Sequence, residues 1–488
     1  MDTNTVSPVE TSTPSDSSLS RRRMLTVALG GAAATVVLPA PAWAVNDKRP
    51  GAHGKPKLTP ADRKVAGKVS AERALKHLKV LSDEIGPRIG GTRSERTAAN
   101  YIARQLEKLG YDVELQPFTV ADKFTGQLSS PTKLPRDICW QVGASAHAAL
   151  DTTVTGDVID VGAGADVDYP ADAAGKIVLI DYVAGRREQH VATAIAHGAA
   201  AVIFLPADRE EPRRAPTFNP TLPGSAANPV AIPVLGVAQV QKHRLRALLA
   251  AGRFTLTVST EAHRNLTSYN VIAELPKKGK GKGKKGDKPA DQSPVVMVTA
   301  HYDTVIGAQG ANDDGSGTVL CLELARVLRD VPTDATFRFA LWGSEEQGLI
   351  GSRYYVRNLP QEERDRIVAV YQNDMVATSW DPATRYWVLS FDGAANAATD
   401  GVTEAARRLG YEPRISPVTQ RGSSDHQSFQ EVGIASANFS WRGEESPAIL
   451  EPPYHTPEDT IAKNISLERL QVSLELIGCA AYATAGKR

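Results

Sequence analysis

The chain has 488 residues, 42% hydrophobic and 23% charged, with a formal net charge of +1. That balance excludes a chain too polar to fold, and it leaves no global field to draw the protein to nucleic acid or an anionic membrane. Three cysteines, Cys139, Cys321 and Cys479, are too few for a disulfide framework.

The N-terminus reads as an export signal. A polar stretch precedes Ser20-Arg21-Arg22-Arg23-Met24-Leu25, an apolar run follows to Leu38, and Ala42-Trp43-Ala44 closes it with a small-x-small pattern. This is the order of an n-region, an h-region and a cleavage site. The paired arginines resemble a twin-arginine signal. The apolar run falls short of the roughly 20 residues that a span needs. Residues 1–44 are therefore expected to be a cleaved signal peptide of a secreted bacterial protein with no stable membrane anchor. Residues 45–68, basic and containing Pro and Gly, are expected to be a flexible linker.

Two helices come next. Leu75, Leu78 and Leu81 share one face of a helix over 70–85, and Gly86-Pro87-Arg88-Ile89-Gly90-Gly91 breaks it. Ala98, Ile102, Leu106 and Leu109 mark a second, with Ser94 as N-cap and Gly110 as C-cap. Residues 111–118 alternate like a strand. Residues 125–260 differ: short β runs at 156–161, 176–181, 200–205 and 232–237 surround one helix-like stretch at 189–197. No cluster of metal-ligand types occurs there, so this segment is expected to be an inserted domain between two parts of one catalytic domain, 69–124 and 261–488. Lys277 to Lys288 carries seven lysines among glycines and predicts a solvated hairpin tip. From Asn270 onward strands and helices alternate, which predicts an α/β fold: a mixed central sheet with helices on both faces. Cys321 and Cys479 lie in apolar helical runs and are expected to be buried thiols, a single bridge between them being the alternative.

Acidic residues and histidines gather just past the predicted strands. His301-Tyr302-Asp303 follows one. Asn312-Asp313-Asp314-Gly315-Ser316-Gly317 precedes a helix. Glu345-Glu346 follows Trp342, Asp374 follows Asn373, and Tyr454-His455 lies far downstream. In open α/β sheets, sites form beyond the carboxyl ends of the strands. Zinc takes His nitrogen and carboxylate oxygen, and two zinc ions need a bridging carboxylate. His301, His455, Asp313, Glu346 and Asp374 make a balanced set for two ions. Glu345 is left free to move protons, and Asp303 is placed to orient His301. Each motif alone would be an ordinary turn or solvated surface; their joint order is what points to a site.

These residues resemble peptidase family M28, the two-zinc aminopeptidases of clan MH. The match includes Gly91-Thr92, Asn270-Val271-Ile272-Ala273, His301-x-Asp303, Asn312 to Gly317, Glu345-Glu346, Asn373-Asp374, Ser424-Asp425-His426 and Tyr454-His455-Thr456. The resemblance implies a zinc-exopeptidase fold and two Zn2+ per chain. His301 and Asp374 would hold one, Glu346 and His455 the other, and Asp313 would bridge. It also implies Glu345 as general base, a cis Asp313–Asp314 peptide beside the ligands, Tyr454 as an oxyanion donor, and Asp425 and His426 as packing around the ligands. The insert resembles a protease-associated (PA) domain at Gly175 to Leu179, Gly198 to Ile203 and Ile232-Pro233-Val234. Peptides are the implied substrates. An aminopeptidase is the first expectation, with Phe429, Phe439 and Trp441 shaping its side-chain pocket. A carboxypeptidase using Arg421 and Arg442 is the alternative, and a non-catalytic receptor on the same fold a remote one. The sequence assigns no oligomeric state.

Overall fold

The computed structural model describes residues 56–131, 134–211, 213–223, 229–275 and 293–486. The expected signal peptide and the Lys/Gly run lie outside the described residues.

Two sheets share one strand ribbon. Strand β1 (Asp112–Val120) leads directly into the insert, whose strands are β2 (Lys123–Ser129), β3 (Gln141–Ala144), β4 (Thr152–Asp160), β5 (Ile177–Asp181), β6 (Ala201–Leu205), β7 (Val234–Gly236) and β8 (Thr255–His263). The chain returns through β9 (Leu266–Glu274), then β10 (Val295–His301), β11 (Thr336–Trp342), β12 (Ile367–Asn373), β13 (Arg385–Ser390), β14 (Ile415–Gln420) and β15 (Ser436–Arg442). The insert closes as a barrel in the order β2-β3-β7-β6-β5-β4-β8. The other strands form an eight-stranded sheet, β1-β9-β11-β10-β12-β15-β13-β14. Its centre, β11-β10-β12-β15, is parallel; β9 and β13 run antiparallel to it, β1 pairs antiparallel with β9, and β14 pairs parallel with β13.

The central strands are apolar on both faces because both faces are covered. Successive residues of β10 point to opposite sides. Val296, Val298 and Ala300 enter the larger core with helices 93–108, 315–328, 397–409 and 467–485. Val295 and Met297 enter the smaller core with Tyr355, Val356 and Phe429. The barrel repeats this logic: Ile177, Leu179, Ala201 and Ile203 pack with helix 239–251, and Val178, Ile180, Val202 and Phe204 with helix 187–196.

Three local expectations change. Residues 60–66 of the expected linker are helical: Thr59 and Asp62 form a capping box, Val65 is fully buried, and Asp62 pairs with Arg408 at 2.9 Å. The long helix continues as α only to Leu78 and winds as a π-helix through Ile85. Thr92, not Ser94, is the N-cap of the next helix, because the Ser94 hydroxyl donates to the Pro87 carbonyl instead. Cys321 and Cys479 are buried free thiols.

Candidate metal centre

The parallel strands β10, β11 and β12 end together and present their following residues to one cleft of about 410 Å³. His301 is the last residue of β10, Glu345 and Glu346 form a 3-10 turn past β11, and Asp374 follows β12. Asp313 reaches the cleft from the loop before helix 315–328, and the Asp313–Asp314 peptide is cis. His455 arrives from a loop after β15. Non-glycine residues with positive φ are uncommon and gather at functional sites. Among the described residues there are seven, and Ser344, Leu349, Met375, Ser423 and His455 flank this cleft.

The two oxygens of Asp313 face different histidines. Oδ1 lies 3.2 Å from His301 Nε2 and Oδ2 lies 3.1 Å from His455 Nε2. His455 Nε2 is also 3.1 Å from Glu346 Oε2, and His301 Nε2 is 3.9 Å from Asp374 Oδ1. Two potential metal groups result, His301–Asp313–Asp374 and Asp313–Glu346–His455. The expected ligands all meet. Glu345 belongs to neither group and approaches His301 Nε2 at 4.0 Å.

The electrostatics fit divalent cations. Burial opposes a charge on His455, but Glu346 and Asp313 outweigh it and raise its pKa to about 10. Burial likewise opposes a charge on His301, and Glu345, Asp303 and Asp313 reverse it. The acidic surroundings thus favour positive charge at both imidazoles. Glu346 Oε1 is buried with no hydrogen-bond partner among the described residues. Imidazole nitrogen with carboxylate oxygen is also the donor set that zinc accepts. Burial pushes the Glu345 pKa well above the carboxylate range, and Asp425, Glu346 and Asp374 add to this.

A sequence model of peptidase family M28 matches residues 270–480, and one of the PA domain matches 152–245. Aminopeptidase YwaD of Bacillus subtilis (strain 168) is 37% identical over 455 residues, 93% of this chain and 92% of its own. The chain belongs to peptidase family M28. An aminopeptidase of Pseudomonas aeruginosa is 29% identical over 84% of this chain and 78% of its own length. Among solved structures, BSAP, a zinc aminopeptidase from Bacillus subtilis, superposes with a TM-score of 0.58 at 37% identity, covering 86% of this chain and 96% of that one. The aminopeptidase from Aneurinibacillus sp. strain AM-1 gives a TM-score of 0.52 at 32% identity, covering 88% and 97%.

Around the candidate ligands lies a hydrogen-bonded frame of which the sequence motifs show only part. Asp303 lies 3.5 Å from His301 Nδ1, which makes no hydrogen bond among the described residues, and accepts the backbone N–H groups of Glu345 and Glu346. Asp314 accepts from the N–H groups of His301, Gly317 and Met375, tying three segments to one carboxylate. Asp459 accepts from the N–H groups of Asn312 and Asp313, while Asn312 donates to Glu451 and accepts from Ala377. A Cβ on Gly317 would stand 2.0 Å from the Asn373 carbonyl oxygen, so only glycine lets this helix approach β12.

Arg88 lies in the helix break at 86–91, where the family resemblance begins. It is fully buried, and its guanidinium donates to the carbonyls of Leu81, Gly86, Tyr302, Gln309 and Gly310. It clamps the loop between His301 and Asp313 to the N-terminal segment. The only sequence signal was a lone cation in an otherwise apolar, glycine-rich break.

Tyr454 lines the cleft and stacks on His455 with ring centroids 3.8 Å apart. Burial, reinforced by Asp313 and Glu346, keeps its hydroxyl protonated. Asp425 and His426 are buried beside the cleft, Asp425 accepting from Gln372 and His426 lying 2.8 Å from the Arg421 carbonyl. Phe429, Phe439 and Trp441 do not shape the cleft. They are fully buried in the two cores, because the apolar faces of their elements turn toward packed helices. Leu349, Met375 and Leu450 supply the apolar lining instead.

The insert touches the same region. Arg214 pairs with Glu458, Cys139 N donates to Pro457 O, and Gly307 N donates to Gln141 Oε1. The Arg213 guanidinium sits 5.8 Å from the Tyr454 ring centroid.

Proposed function

We propose that this chain is an exported two-zinc aminopeptidase that releases N-terminal residues from peptides. The observation that carries the reading is the division of five ligands into two groups sharing Asp313, with Glu345 beside them and in neither. His301 and Asp374 would hold one zinc, Glu346 and His455 the other, and Asp313 would bridge. When bound there, zinc supplies the Lewis acidity that makes water nucleophilic near neutral pH and polarises a peptide carbonyl.

The chain's own groups do the rest. Glu345 takes the proton of the attacking water and returns it to the leaving amine; its burial and raised pKa suit a group that must hold a proton between those steps. Tyr454, kept protonated, donates its hydroxyl to the developing oxyanion. The acidic wall of the cleft, Glu345 and Asp374 in particular, favours a substrate's free α-amine. The aminopeptidase names of the relatives support this polarity. A receptor on the same fold would be expected to lack a ligand or the base, and all six groups are present.

Export is supported by the arginine pair and apolar run of the leader. Replacing Arg21 and Arg22 with Lys is expected to stop secretion, and undiminished secretion refutes that route.

The test of the activity is a digest of one long peptide in free, N-acetylated and C-amidated forms, with products identified by mass and zinc counted per chain. Release of single N-terminal residues that stops on acetylation is expected. Release from the other end, stopped by amidation, makes the protein a carboxypeptidase. Full activity after exhaustive chelation overturns the metal reading.

A further inference from the structure

The cleft holds positive charge that this mechanism does not use. Arg353, Arg421 and Arg442 line it together with the metal ligands. Arg353 is paired with Glu431 at 3.3 Å. The other two have no carboxylate partner among the described residues. Arg442 is only 4% exposed, and its guanidinium donates to the neutral Ser440 hydroxyl and Pro447 carbonyl. The half-buried Arg421 guanidinium makes no hydrogen bond or ion pair among the described residues; its own backbone is held by Ser390 and His426.

The other buried arginines, Arg88, Arg338 and Arg469, fill more of their donors than these two do. Arg88 fills its donors with five carbonyls, and Arg469 with the carbonyls of Thr378, Trp380 and Asp381. Arg338 takes Glu274, Glu363 and the Tyr355 hydroxyl. Burying a cation without an anion is unfavourable. The two cations also repel each other: after burial, the Arg442 charge is the main influence that lowers the Arg421 pKa to about 10, and Arg213 of the insert acts in the same direction. Asp374 counters them in part, but its oxygens belong to the metal group. Guanidinium groups match carboxylates in geometry as well as charge.

We propose that Arg421 and Arg442 form a carboxylate-binding subsite of the cleft, which takes a negative group of the peptide substrate. That group is either the terminal carboxylate of a short peptide or the side chain of an acidic residue. The proposal rests on the aminopeptidase reading for which end of the peptide is cleaved, but not for the presence of the subsite.

The experiment compares kcat/KM within matched pairs. Leucyl-glycine against leucyl-glycinamide reads the terminal carboxylate, and glutamyl-glycinamide against glutaminyl-glycinamide reads the side chain. Leucine 4-nitroanilide, with no carboxylate, reports the aminopeptidase reaction by itself. One acid is expected to exceed its amide by roughly 10–100-fold, the range of a charge-assisted hydrogen bond. Arg421→Gln, at a half-buried position, is expected to bring that ratio toward one through KM. Calorimetric Kd values of the same pair, measured on Glu345→Ala protein without turnover, are expected to show the same preference.

Ratios near one in both wild-type pairs, with the nitroanilide still hydrolysed, overturn the subsite and leave the aminopeptidase reading intact. An acid preference in wild type that survives in a folded Arg421→Gln protein also overturns it. Cleavage of N-acetylated acids only, lost in Arg421→Gln, overturns the aminopeptidase reading and keeps the subsite. Arg442→Gln lies deeper, so its thermal melt is recorded first. If Arg421→Gln fails to fold, Arg421→Lys, which keeps the charge but loses the paired donors, is expected to lower the acid-to-amide ratio, and an unchanged ratio overturns the subsite.

Discussion

The sheet and the barrel are built alike and buried differently. Both alternate apolar side chains between two cores. In the sheet region Asp303, Asp313, Asp314, Glu345, Asp374, Asp425, Glu451 and Asp459 are all buried, whereas no carboxylate of the barrel is buried among the described residues. Its charges pair at the surface instead, as Arg246 does with Asp160 and Asp181. Buried carboxylates are unfavourable unless something positive or hydrogen-bonding meets them. Apart from Asp62, Glu95, Glu323 and Glu475, which meet Arg408, Ser268, Arg326 and Tyr411, the buried carboxylates gather at one end of one sheet, and that gathering is a better marker of chemistry than secondary structure, which the two regions share.

The sharpest way to break this contrast is at Glu345. Glu345→Ala is expected to keep its zinc and lose roughly 10²–10⁴-fold in kcat, since general base catalysis contributes about that much. Atomic absorption and steady-state rates on one preparation check both halves. Near-normal turnover would remove Glu345 from the chemistry and leave its burial without a function. Next in size is Arg88. Arg88→Lys keeps the charge, but three ammonium protons cannot serve five carbonyls. The loop carrying Asp313 should loosen, weakening metal binding by about 10–100-fold, as loss of a group supporting the ligands does. Chelator competition measures this without relying on turnover, and an unchanged affinity would make Arg88 a packing residue only.

These two residues also show what the sequence could and could not tell. Glu345 was legible because its neighbours and their order after predicted strands are local features. The candidate ligands were legible for the same reason, each lying near the end of an element with strong apolar periodicity. Arg88 was not, because its five acceptors come from segments up to 222 residues away, and no short window holds that pairing. Phe429, Phe439 and Trp441 were misplaced for a related reason: an aromatic beside a site in sequence faces cleft or core according to which way its element turns. The helix at 60–66 was hidden by its basic, Pro-containing composition, although Thr59-Pro60-Ala61-Asp62 holds a capping box. The second barrel helix, Gln239–Ala251, was missed because its apolar stripe is thin, and packing against Phe254 and Leu256 settles it.

The smallest expected effect tests whether the barrel belongs to the active site or only leans on it. Arg214 joins the insert to the loop bearing His455 through Glu458. Its side chain is 32% exposed and that of Glu458 is 12% exposed, so solvent screens part of the attraction. A pair of this kind is worth about 0–1 kcal/mol. Glu458 also keeps a second cation, Lys463, at 3.1 Å. Arg214→Ala is therefore expected to change thermal stability little, leave kcat unchanged, and raise KM only a few-fold. Added salt should mimic the substitution in wild type, because screening weakens exposed pairs first. A kcat loss approaching that of Glu345→Ala would mean that the insert holds the His455 loop in register. The absence of buried carboxylates from the barrel would then no longer mark it as a bystander to the chemistry.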